Sequence, residues 1–200
     1  MKPLVYLVDD DAALRDGLAS LLRSADMEVA AFGAVADFLA HVREDRNSCL
    51  LLDVRLGGHI GMDLYADLKT QGCTLPVVFM TGFGDIPMSV RAMKAGAVDF
   101  LAKPVRVDEL LSAVGQALAH DLACRADEAA GAELRQRYET LTPREREIMA
   151  LAARGLMNKQ IAGEVGTSEI TVKIHRGNAM KKMQARTFAD LVRMAQALAL

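Results

Sequence analysis

Leu4-Val5-Tyr6-Leu7-Val8-Asp9-Asp10-Asp11 decides the fold, because five apolar residues run without interruption into three carboxylates. A short all-apolar run with polar borders is the pattern of a strand buried on both faces of a parallel sheet. The pattern recurs where Leu50-Leu51-Leu52 runs into Asp53. Further candidate strands cover 27–32, 49–52, 76–80 and 98–101. Candidate helices lie near 12–25, 34–43, 61–71, 86–95 and from 107 onward. Alternation of strand and helix over 1–120 predicts a parallel sheet with helices on both faces. In such sheets ligands bind at the carboxyl ends of the strands. Asp9, Asp10, Asp53, Thr81 and Lys103 all fall at those ends. Acids gathered there repel each other unless a cation sits among them, which predicts metal-dependent chemistry at a carboxylate.

Composition narrows the class. With 52% hydrophobic and 25% charged residues, the 200-residue chain has the balance of a soluble globular protein. Met1-Lys2-Pro3 and five apolar residues are too short for a signal-peptide core, and no later run reaches membrane-spanning length. The expected location is the cytoplasm. Cys49, Cys73 and Cys124 are an odd number without CxxC spacing and read as thiols of a reducing compartment. His41, His59, His120 and His175 are scattered and form no metal-ligand spacing. The net charge of -2 hides an asymmetry: -5 over 1–120, -2 over 121–140 and +5 over 141–200. An acidic front and a basic rear predict two modules, the rear one directed at nucleic acid.

Between them, 107–138 has no proline and is rich in Ala, Leu, Glu and Arg. It predicts one helix that leaves the sheet and becomes the linker, with Gly131 as its weak point, where a break could fall. Leu111, Val114, Leu118 and Leu122 form a stripe that packs on the sheet in its first half; the second half is open to either packing or a dimer seam. Val35, Phe38, Leu39 and Val42 form a similar stripe over 34–42.

The front acids have separate roles available. Asp53, alone on its strand, is the candidate nucleophile toward a phosphoryl group. Asp9 and Asp10 suit Mg²⁺, which takes few carboxylates, waters and substrate oxygens. The Thr81 hydroxyl can bond a phosphate oxygen, and Lys103 can pair with it as a point charge. Asp11, one residue further, reads as a helix cap.

These motifs, VDDD, LLLD, MTG and AKP, resemble the response-regulator receiver family over residues 4 to about 120. The resemblance implies a five-stranded flavodoxin-like domain phosphorylated at Asp53 by a histidine kinase. It implies Mg²⁺ held by Asp9, Asp10, Asp53 and the backbone carbonyl of Arg55. It also implies a cis Lys103-Pro104 peptide, and a switch in which Thr81 moves and Phe100 turns inward. The chain departs from the family at Leu56-Gly57, where Met-Pro is usual; Gly57-Gly58 makes that loop more flexible and leaves every catalytic side chain in place. Arg55 and Phe83 flank the site and are expected to shield a long-lived phospho-Asp53. An unchanged dephosphorylation rate in both Arg55→Ala and Phe83→Ala would remove that idea.

In the rear, Thr142-Pro143-Arg144-Glu145 reads as a capping box with Pro at the first helical position. Helices are predicted at 158–165, 169–183 and 187–198, the first two joined by a short Gly-containing turn as in a helix-turn-helix. Ser168 caps the second, with Val172, Ala179 and Met183 inward and Lys173, Ile174 and Gly177 outward. Lys173, Arg176, Lys181, Lys182 and Arg186 gather positive charge around it. Asn158, Lys159 and the lysines suit phosphates; Lys173 and Arg176 are the candidate base readers. Thr171, Ile174, Gly177 and Lys181 complete the candidate DNA-binding set. LTPREREIM, GLMNKQIA, TVKIHR and LVRMA resemble the LuxR-type output domain, and GDIPMSVRAMKAGAVDF resembles the FixJ-like subgroup.

Together these readings predict a receiver over 1–120, a helical linker over 121–138 and a LuxR-type helix-turn-helix domain over 139–200. The resemblance implies a transcription regulator, not a turnover enzyme, with a histidine kinase, promoter DNA and a phosphorylation-dependent homodimer through about 86–101 as partners. RNA polymerase is a further possible partner and a membrane is not. Two other readings stay open: a DNA-binding regulator whose receiver is a phosphate-independent interaction module, and a Mg²⁺-dependent phosphotransferase, for which no general acid or base is placed beside Asp53.

Overall fold

The computed structural model describes residues 1–41, 43–56, 59–82 and 86–200, the side chains of 59, 60 and 86–89 excepted. The chain forms two compact units, Met1–Arg125 and Ala126–Leu200.

The first unit contains strands β1 (Leu4–Val8), β2 (Glu28–Phe32) and β3 (Ser48–Asp53), the short pair β4 (Arg55–Leu56) and β5 (His59–Ile60), then β6 (Val77–Thr81) and β7 (Asp99–Ala102). Helices α1 (Ala12–Ser24), α2 (Val35–Ala40), α3 (Gly61–Thr70), α4 (Ile86–Lys94) and α5 (Val107–Glu139) alternate with them. The five longer strands form one sheet, in the order β2-β1-β3-β6-β7, with every neighbouring pair parallel. The order reverses between β1 and β3, so a crevice opens at their carboxyl ends.

The period of two sorts each strand between two cores. Leu4, Tyr6, Val8, Leu50, Leu52, Val77 and Phe79 face one side with Phe38 of α2, Leu64, Tyr65 and Leu68 of α3 and Ala92 of α4. Val5, Leu7, Cys49, Leu51, Val78 and Met80 face the other, against α1 and α5. That is why β1, β3 and β6 are apolar throughout: both faces are covered. Each fully buried Leu side chain contributes about 1.5–3 kcal/mol relative to exposure.

One expectation needs correction, and two points on α5 that the sequence leaves open are settled. The stripe on α2 reduces to Val35 and Phe38. The helix ends at Ala40, Leu39 is 52% exposed, and Val42 lies outside the described residues. Phe38 is the buried anchor of the short helix, with its ring edge-on to Tyr6 and Phe32 and Val35 packed beside it on the same core. On α5, Leu122 is 58% exposed, and the buried place one residue earlier belongs to Asp121. The single long helix holds: α5 runs unbroken for 33 residues, through its weak point at Gly131. Glycine costs about 1 kcal/mol against alanine in a helix, and nothing beside it supplies a stop signal. At Gly57-Gly58, outside the described residues, the flanking Arg55 and Leu56 pair antiparallel with Ile60 and His59.

The second unit takes the far end of α5 and adds α6 (Pro143–Ala153), α7 (Asn158–Val165), α8 (Glu169–Met183) and α9 (Phe188–Ala197). Local signals set the helix starts. Thr142 and Glu145 form the reciprocal capping box with Pro143 inside the first turn. Ser168 Oγ accepts the Thr171 N–H at 3.1 Å. α7 ends on Gly166, whose φ of 64° is the left-handed cap a side chain would strain. Met149, Ala179, Met183, Leu191 and Ala195 form one core, which Leu134 and Tyr138 of α5 join; Ile148, Leu151, Ile161 and Val172 form a second. Among the described residues no helix is long and apolar enough to cross a membrane.

Candidate functional site

The sheet brings the front candidates together. Register places Val8 beside Leu52, Asp53 beside Met80 and Thr81 beside Ala102. Asp9 and Lys103 therefore follow their strands onto the same edge as Asp53 and Thr81. Carboxylate oxygens of Asp9, Asp10 and Asp53 lie within 4.8 Å of one another. Lys103 Nζ donates to Asp53 Oδ2 at 2.6 Å and to Asp9 Oδ2 at 2.7 Å. Thr81 is 3% exposed, and its carbonyl accepts the Lys103 N–H at 2.6 Å. The Lys103-Pro104 peptide is cis.

The electrostatics follow from crowding. Burial pushes the Asp9 carboxyl up, against the hydrogen bonds it accepts from Lys103 and the Asp11 N–H. Burial pulls the Lys103 ammonium down, but its hydrogen bonds to Asp53 and Asp9 prevail and the net shift is upward. A bridging ammonium would lower Asp9 by itself. The upward shift says that desolvation and the neighbouring Asp53 charge outweigh it. The Asp9, Asp10 and Asp53 carboxylates form an all-oxygen cluster suited to a hard divalent ion.

Backbone geometry holds the acids still. Arg55 N–H donates to Asp53 Oδ1 at 3.1 Å. Asp11 caps α1, accepting from the Ala13 and Leu14 N–H groups, as the sequence predicts. Three positioning residues had no local signature. Arg15 Nη1 donates to the Asp9 carbonyl at 2.8 Å. Gly61 N–H donates to the Val54 carbonyl at 2.8 Å, and a Cβ there would collide with the Asp53 carbonyl oxygen. Its place at the start of a helix after the acid-bearing strand was the available hint. Asp121 accepts the Ser48 N–H at 3.0 Å and Arg125 Nε at 2.7 Å, tying α5 to the start of the strand that ends in Asp53. Phe100 is half-buried and packs against the α2–α4 side of the sheet. Arg55 is exposed; Phe83 lies outside the described residues.

In the second unit α8 buries Val172, Ala179 and Met183 and turns Lys173, Ile174 and Gly177 outward. Ile174 is 57% exposed, and a Cβ on Gly177 would meet nothing within 4 Å. Lys159 and Lys181 are exposed, and Asn158 opens α7. Two of the cations have partners within the unit. Lys182 is committed inward, donating to the buried Glu145 at 2.7 Å and to the Thr140 carbonyl at 3.2 Å. Arg176 is half-buried, donating to Asn158 Oδ1 at 2.9 Å with its guanidinium over the Phe188 ring. Thr171 Oγ1 lies 2.8 Å from Ser168 Oγ, inside the cap.

Residues 5–115 match the model of the response regulator receiver domain, and 139–195 match that of the bacterial regulatory proteins of the luxR family. The molecule is a signalling protein in which a receiver is joined to a DNA-binding output. It belongs to the response regulators with a LuxR-type helix-turn-helix domain. Nodulation protein W of Bradyrhizobium diazoefficiens is 51% identical over 197 residues, covering 98% of this chain and 87% of that protein. The low-resolution structure of the response regulator StyR is 46% identical with a TM-score of 0.84, covering 98% of this chain and 99% of that one. Full-length FixJ from B. japonicum is 40% identical with a TM-score of 0.59, covering 98% of each chain. The family is one of transcriptional regulators and not of turnover enzymes, and it implies a cognate kinase and promoter DNA. Its receivers bind Mg²⁺ at an acidic pocket, and the Asp9, Asp10 and Asp53 cluster has that character.

Proposed function

We propose that Asp53 is the phosphoacceptor of a histidine kinase, and that its phosphorylation turns DNA binding on through homodimerisation. The observation that carries this reading is the Lys103 ammonium shared between Asp53 and Asp9 at the carboxyl edge of the sheet. An Asp53 carboxylate oxygen forms the new bond to phosphorus as the bond to the donor's leaving group breaks. Lys103 is positioned to follow the charge onto the phosphoryl oxygens, and the Thr81 hydroxyl to bond one of them. Asp9, Asp10, Asp53 and the Arg55 carbonyl would hold Mg²⁺, whose contribution is to neutralise charge on the transferring group. The product is slow to hydrolyse, and Arg55 helps to keep water away.

Loss of Lys103 and Thr81 to the phosphate frees the β6–β7 edge to rearrange, and Phe100 fills the space behind Thr81. The surface that changes is α4 and β7, about 86–101, where Val90 and Met93 are 47% and 48% exposed. Two copies meeting there place two output units on one promoter, in the cytoplasm where that DNA lies. Lys173 and Ile174 read bases, Gly177 lets the helix sit close, and Asn158, Lys159, Thr171 and Lys181 face the backbone.

The test is incubation of the full chain and of Asp53→Asn with Mg²⁺ and acetyl phosphate. Acyl phosphate, dimer formation and tighter DNA binding are expected in the wild type alone. DNA binding indifferent to Asp53 would leave the phosphate-independent module as the better reading. Phosphate transferred to a diffusible acceptor would favour the phosphotransferase.

A further inference from the structure

We propose that Arg176 is a positioning residue for DNA binding rather than a base reader: it holds the Asn158 amide so that its NH₂ group faces a DNA phosphate. The inference rests on the reading of this unit as DNA-binding and of Asn158 as a backbone contact. Arg176 lies on α8 one residue from the outward face, yet it is half-buried and engaged at two places. Its Nη1 donates to Asn158 Oδ1 at 2.9 Å, at the first turn of α7. Its guanidinium carbon lies 5.1 Å from the centroid of the Phe188 ring, at the first turn of α9. One side chain thus links the starts of two helices to the middle of a third.

Arginine has five donors and no acceptor, so the Asn158 atom it bonds must be the amide oxygen. That fixes which way the amide points: the oxygen is turned inward onto Arg176, and the two N–H donors are the end that remains. A donor at the first turn of a helix, beside Lys159 and the backbone N–H groups of α7, is suited to a phosphate oxygen. The ring under the guanidinium explains why arginine serves better than lysine, since its planar face stacks while its edge donates. To reach a base edge Arg176 would have to leave both partners. Lys173 and Ile174, exposed on the same helix, have no such ties among the hydrogen bonds and ring contacts described. Base reading therefore falls to those two, and Arg176 acts on DNA through Asn158.

The experiment selects duplexes from a pool with a randomised central segment, using the full chain treated with Mg²⁺ and acetyl phosphate. Affinity for the best selected duplex and for a scrambled one is then measured at several salt concentrations. Arg176→Ala is expected to weaken both duplexes by a similar factor, on the order of tenfold, with the selected sequence unchanged. The slope of log affinity against log salt is expected to stay the same, because no phosphate-neutralising cation is lost. Asn158→Ala should lose about as much, and the double variant no more than either alone. Arg176→Lys keeps the charge, loses the planar fork and should recover only part of the affinity. Helical content at the assay temperature checks folding, and Phe188→Leu, which keeps the Asn158 hydrogen bond, should lose less than Arg176→Ala.

Relaxed preference at one base pair in Arg176→Ala would make it a base reader and overturn the proposal. A salt slope reduced by about one would make it a direct phosphate contact and do the same. Unchanged affinity, or additive losses in the double variant, would also overturn it. Lys173→Ala separates this from the reading beneath: if the wild type selects no sequence, or Lys173→Ala changes nothing, the recognition-helix assignment itself fails.

Discussion

Glu145 holds a carboxylate that is 3% exposed at the start of α6. Burial raises its pKa, but the ammonium of Lys182 and the N–H and hydroxyl of Thr142 lower it further, and the net value is below the usual 4.5. A group depressed in the folded state stabilises above its unfolded value, and that contribution disappears as pH falls through the folded one. The second unit should therefore lose stability as pH drops below about 4.5. Glu145→Gln should be less stable at neutral pH by roughly 1–3 kcal/mol, with a weaker acid dependence. Denaturant unfolding of both proteins at pH 7 and pH 4 checks this; parallel losses would show that other carboxylates set the acid limit. Cys49 behaves in the opposite sense, because burial pushes its thiol up to about 12 and leaves it a small apolar group in the sheet core.

At the level of elements, how readable the sequence was depended on where each signal lay. The β1 strand was legible because both of its faces are buried, so the apolar run is unbroken. The limits of α7 and α8 were legible because their punctuation is local: Ser168 starts one and Gly166 ends the other. The site was legible as residues at strand ends, since parallel pairing puts those ends on one edge. The two-residue strands β4 and β5 were too short for any period to show. Ties such as Asp121 to Ser48 join positions 73 apart, and neither residue announces its partner. The Asp121 tie gives a prediction. Ser48 is 2% exposed, and Asp121→Ala leaves its N–H buried without an acceptor. The first unit should lose about 1–3 kcal/mol, with faster hydrogen exchange at the Ser48 amide. Unchanged protection there would mean that the sheet, not α5, fixes the start of β3.

For the whole molecule, the division between Arg125 and Ala126 falls inside α5, so one helix supplies core residues to both units. Leu110, Ala113, Val114, Ala117 and Leu118 belong to the first, Leu134 and Tyr138 to the second. A fragment of 126–200 should therefore unfold at higher denaturant than one of 141–200, by about 2 kcal/mol for the two side chains left out. Equal midpoints would show that the far end of α5 contributes no packing. The Lys103 bridge also decides what can stand in for a phosphate. In the resting chain one carboxylate charge at position 53 is already matched by an ammonium at 2.6 Å. Glutamate in that place adds reach but no charge, whereas phosphorylation replaces the single carboxylate charge with an acyl phosphate of about two, a net gain of about one negative charge and more acceptor oxygens. Asp53→Glu should accordingly stay monomeric in sedimentation, like the untreated wild type. A constitutively active regulator is better sought by removing Lys103's hold on the acids than by lengthening the acceptor.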